Sequence, residues 1–84
     1  MEDVTNAEIK DRFFEALKYL KEKKIIRGAA TFCNKYGIDR RNIHRIKNND
    51  NGTIKACWLT WLVLEYGVSA NWLLTGRGKI RYGD

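Results

Sequence analysis

The stretch that decides the reading of this chain is Ala29–Asn48, AATFCNKYGIDRRNIHRIKN. It divides at Gly37 into two short helical segments. Phe32 and Tyr36 are four residues apart and share one face of the first segment. Cys33 puts a small side chain four residues before Gly37, where two helices that cross closely need one. Gly37 suits the left-handed position that ends a helix. Ile38 follows as an apolar plug, and Asp39 is placed to cap the second helix. In that helix Ile43 and Ile46 are three apart and turn toward Phe32 and Tyr36. Arg40, Arg41, His44, Arg45 and Asn48 are left on the opposite face. A short helix with a cationic outer face, braced by a preceding helix, suits the major groove of duplex DNA. The expectation is a helix-turn-helix.

Outward from this stretch, helical spacing predicts helix 1 over Ala7–Lys23, with Ile9, Phe13, Ala16, Leu17 and Leu20 as its buried stripe. Helix 2 is predicted from near Gly28 to Tyr36 and helix 3 from Arg40 to Lys47. The segment Asn48-Asn49-Asp50-Asn51-Gly52 forms a turn. Helix 4 is predicted over Ile54–Tyr66, closed by Gly67, and helix 5 over Ala70–Thr75, capped by Ser69 and closed by Gly76. Residues 1–6 are expected as a loose N-terminal arm and 77–84 as a basic tail. The fold class expected is all-α, a compact bundle of about five short helices in a single domain spanning 1–84.

The 84 residues carry 16 Lys and Arg against 10 Asp and Glu, a formal net charge of +6, which favours a polyanionic partner. The charge is uneven. Glu2, Asp3 and Glu8 occupy the first eight residues without a cation, whereas Arg40, Arg41, Arg45, Lys47 and Lys55 face only Asp50 within 40–55. The Lys18, Lys21, Lys23 and Lys24 cluster falls toward the end of helix 1, where cations complement the helix dipole.

Cys33, Cys57 and His44 have no metal-ligand spacing, so no metal or other cofactor is expected. Free thiols and an acidic N-terminus without an apolar run suit the cytoplasm. The longest apolar stretch, Trp58–Leu64, is far too short to span a bilayer. Thr75-Gly76-Arg77-Gly78-Lys79 lacks phosphate-loop spacing and leaves a helix instead of entering one. No nucleophile and base stand together, which argues against an enzyme. No small-molecule site is evident.

With the helices placed, the chain resembles the Cro and C-I phage-repressor type of DNA-binding domain, the lambda-repressor-like family. The likeness covers about Ile9–Gly78. It rests on Ala29–Asn48 and on Tyr66-Gly67-Val68-Ser69-Ala70-Asn71-Trp72-Leu73-Leu74-Thr75-Gly76. Two positions depart from the family pattern: Cys33 stands where Ala is usual, and helix 2 opens Gly28-Ala29-Ala30 where a polar side chain such as Gln is usual. The resemblance implies a sequence-specific regulator of transcription, a repressor acting on double-stranded DNA as a homodimer.

In that reading Arg40, Arg41, His44, Arg45 and Asn48 contact base edges, and Thr31, Lys47, Asn49, Asn51 and Lys55 bond phosphates. Helix 4 is apolar on two sides. Leu59, Leu62, Val63 and Tyr66 are assigned to the monomer core. Trp58, Trp61 and Leu64 are assigned to the homodimer interface, with the tail, through Ile80 and Tyr82, as the alternative cover. The competing function is a protein-interaction module, such as an antitoxin-like partner inhibitor, using the tryptophan stripe. An RNA binder ranks below both, because no exposed stacking platform is evident.

Overall fold

Thr5 sets the start of the first helix. Its hydroxyl accepts from the Glu8 amide at 3.2 Å while the Glu8 carboxylate accepts from the Thr5 amide at 3.4 Å, a reciprocal capping box. The computed structural model describes residues 5–49 and 53–83. Among these residues are five helices in chain order: α1 Asn6–Glu22, α2 Ala29–Tyr36, α3 Arg40–Asn48, α4 Ala56–Tyr66 and α5 Ala70–Thr75. Among the described residues there is no strand beyond one isolated antiparallel bridge, Val68 with Arg81. The all-α class is therefore as expected.

Thr5 and Asn6, expected within a loose arm over 1–6, are instead the cap and first residue of α1; residues 1–4 lie outside the described residues. On α1 the buried positions are Lys10, Phe13, Ala16, Leu17 and Leu20. Ile9, expected in that stripe, is only half-buried. α4 begins at Ala56, two residues later than expected. Ile54 instead precedes the helix and is buried in the core.

The turn chemistry places α2 against α3. Gly37 closes α2 in the left-handed region, φ 67 and ψ 30, and its amide donates to Cys33 O. The Ile38 amide donates to the same carbonyl at 2.9 Å. Asp39 Oδ1 then accepts from the Arg41 amide at 2.8 Å and starts α3. α5 is capped likewise, Ser69 Oγ accepting from the Trp72 amide at 3.2 Å. The tail does not hang free. Ser69 N donates to Ile80 O at 2.7 Å, Tyr82 N to Gly67 O at 3.0 Å, and Arg81 Nε to Tyr66 O at 2.8 Å.

The core is aromatic. Phe13 of α1 meets Phe32 of α2 with ring centroids 5.8 Å apart and Trp58 of α4 at 6.1 Å. Trp61 stacks on Tyr36 at 4.3 Å, the rings 4° from parallel. This corrects the interface assignment. Trp58 is only 3% exposed and belongs to the monomer core. Trp61 is half-buried, one ring face covered by Tyr36. The fully buried side of α4 is set by Trp58 and Leu62, while Leu59, Val63 and Tyr66, assigned to the core, pack against it half-buried. α4 is apolar nearly all round, so periodicity does not choose a face; the indoles meet aromatic rings of the neighbouring helices, Trp58 against Phe13 of α1 and Trp61 against Phe32 and Tyr36 of α2. Of the tail, which pairs with 66–69, Ile80 is half-buried against the core while Tyr82 remains 61% exposed.

Candidate functional site

α3 is held from behind and open in front. Ile43 is buried and Ile46 half-buried. Lys10 reaches across from α1, only 6% exposed, and its ammonium donates to Asn49 O at 2.8 Å, just past the end of α3. A cation there satisfies a free carbonyl at the negative helix pole. Arg12 does the same for α5, donating from Nε to Leu73 O at 2.8 Å and from Nη2 to Leu74 O at 3.2 Å. Sequence reasoning missed both anchors. The signal was there for Lys10: it sits three residues before Phe13 and seven before Leu17, on the buried stripe, where an unpaired cation is costly.

The opposite side of α3 carries Arg40, Arg41, His44, Arg45 and Asn48, all exposed. The first four rim one shallow depression. Local bonds give the side chains set directions. Arg45 donates to Asn42 Oδ1 at 2.9 Å. Asn48 Nδ2 donates to His44 O at 3.1 Å and lies 3.0 Å from His44 Nε2. Arg41 Nε is 3.8 Å from Asp39 Oδ1, a loose exposed pair. The expected base-contacting set is thus brought together on one face.

The expected phosphate-contacting set is more dispersed. Thr31 is half-buried in the first turn of α2. Lys47 leaves the arginine face and turns toward α1, its ammonium 5.6 Å from the Phe14 ring centroid. There it lines a cleft of about 270 Å³ with Arg40, His44, Ala29 and Ala30. Asn49 follows α3, and Lys55 precedes α4 with its ammonium 5.9 Å from the Trp58 ring. Asn51 lies outside the described residues. Cys33 also faces the cleft; burial pushes its thiol pKa up against the opposing effect of the Arg40 charge, so the thiol stays neutral.

A second surface is apolar. Leu64 is 76% exposed and Leu74 47%. With Leu59, Val63 and Leu73 they line a groove of about 300 Å³ between α4 and α5. Of the three residues assigned to the dimer contact, only Leu64 lies on this surface. Among the described residues, no group of His, Cys, Asp or Glu is arranged to hold a metal ion, and no helix is long and apolar enough to cross a membrane. Comparison of the chain with family models, with curated proteins and with solved structures gave no match.

Proposed function

We propose that this chain is a sequence-specific double-stranded-DNA-binding protein of the helix-turn-helix type, a transcriptional regulator that works as a homodimer in the cytoplasm. The observation that carries the reading is the exposed face of α3, where three arginines, one histidine and one asparagine stand together on a helix braced from behind. Arginine bonds guanine O6 and N7 in two places, and asparagine does the same for adenine. The resemblance to phage repressors supports the regulatory role.

A helix of nine residues reads few base pairs, so useful specificity calls for two half-sites about 34 Å apart. The second copy is assigned to the α4–α5 groove. Its lining, from Ala56 to Leu74, is free of charged side chains in a chain of net charge +6, so two copies meet there without like-charge repulsion. It also offers a projecting Leu64 and a recess on one face, the self-complementarity that a two-fold contact uses. The same groove is the observation that favours the competing protein-interaction reading, in which another protein occupies it.

Selection of binding sites from random duplexes tests the proposal. The expected result is a palindromic site, bound with an affinity that falls steeply with salt. Failure to enrich any duplex at low salt overturns the DNA reading and favours the protein-interaction module.

A further inference from the structure

The cleft between α3 and the first turn of α2 does not end at Lys47. A second, wider cleft of about 580 Å³ runs along α1 and is walled by Lys18, Lys21 and Lys47. The two clefts share Phe14, Ala29 and Lys47, so they form one continuous trough. Its walls carry four cations, Lys18, Lys21, Arg40 and Lys47, against one carboxylate, Glu15. Its floor is apolar, with Leu17 buried and Phe14 half-buried.

Two facts set these lysines apart from an ordinary solvated helix face. Neither Lys18 nor Lys21 takes part in the ion pairs Lys35–Glu65 and Arg41–Asp39, and Glu15 is the one carboxylate on the trough wall beside them. The helix dipole accounts for Lys21 in the last turn of α1, but its influence fades within that turn and does not reach Lys18.

We infer that the trough carries one backbone strand of the duplex that α3 enters, with Lys18 and Lys21 neutralising phosphates that flank those near Lys47 and the first turn of α2. This rests on the DNA reading above and extends its contact surface from α3 to α1. Phosphate contacts fix docking register and carry no sequence information directly. The trough therefore adds affinity to every duplex and leaves base preference unchanged.

The test is a salt series of duplex binding, followed by fluorescence anisotropy, on the Lys18→Gln/Lys21→Gln double variant. Both side chains are exposed, so circular dichroism should match wild type. With two phosphates no longer neutralised, the slope of log K against log salt should become shallower by about 1.8 per chain. The loss of affinity should be equal on selected and scrambled duplexes. Arg77→Gln/Lys79→Gln removes the same net charge outside both clefts, and Lys18→Arg/Lys21→Arg keeps the charge; the latter should retain the wild-type slope. If the Lys18/Lys21 glutamine pair changes the slope no more than the Arg77/Lys79 pair does, the trough is not a phosphate path, while the DNA reading stands. If wild-type protein shows no salt-dependent duplex binding, the DNA reading itself fails and the trough inference falls with it.

Discussion

At the scale of single residues, burial separates the cations of this chain into two groups. Lys10 is nearly fully buried and satisfies a carbonyl beyond α3. Lys10→Met keeps the stem and removes the charged donor. It should lower stability by about 1.5–3 kcal/mol, the range for hydrogen bonds to charged groups, as read from urea unfolding. Arg45 is exposed, its guanidinium donating to Asn42 on the same helix. Arg45→Ala should cost about 1–3 kcal/mol of specific binding and relax preference at one base pair, whereas Lys47→Ala should weaken selected and scrambled duplexes alike. Anisotropy on both duplexes checks this, and equal losses for Arg45→Ala would mean that α3 docks without reading bases.

A third residue effect concerns pH. Burial raises the Cys33 thiol above its ordinary 9.0 and the Tyr36 hydroxyl above its ordinary 10.0, since both ionised forms are poorly solvated. In each case the folded state holds its proton more tightly than the unfolded state. The associated stability is complete below these ordinary values and is lost as pH rises through the raised ones. Urea midpoints should therefore be level near neutral pH and fall above about pH 9. Cys33→Ala should remove the earliest part of that fall.

At the scale of elements, the α2–α3 pair was legible because its turn depends on local chemistry. Gly37 adopts φ 67, and a Cβ added there meets nothing within 4 Å. The cost of Gly37→Ala is then purely conformational, about 1–2 kcal/mol. Gly28, with φ 162 in extended backbone and equally open surroundings, makes the contrast: Gly28→Ala should be near neutral. Thermal unfolding of the two variants checks both expectations, and equal losses would mean that the left-handed backbone at Gly37 carries no special demand for glycine. α4 was legible as a helix but not in its orientation. Both of its stripes were apolar, and choosing between them depended on the space left by Phe13 and Phe32, which lie in other helices. The lysine cluster of α1 reads in sequence as dipole compensation for the same reason, because the cleft that places Lys18 and Lys21 beside Lys47 is formed by a separate helix.

At the scale of the whole molecule, charge and apolar surface are segregated. The basic side runs from α1 across α3; the groove between α4 and α5 is neutral and apolar. Leu64→Glu should leave the fold intact, since that side chain is 76% exposed, yet yield a monomer with weakened duplex binding. Sedimentation together with circular dichroism measures this; a wild-type protein that is already monomeric at binding concentrations would remove the groove from the homodimer.

Five helices and the placement of Arg40, Arg41, His44, Arg45 and Asn48 on one face were determined by the sequence alone, with most boundaries within a residue or two. Caps, left-handed glycines and apolar spacing act within a few residues of chain, so they can be read one segment at a time. Only the tertiary structure decided that Trp58 lies inside, that Lys10 and Arg12 anchor helix ends 39 and 61 residues away, and that the tail is strapped to 66–69. Each of these depends on which surfaces meet and how much volume remains between them, and that is settled only when all five helices pack at once.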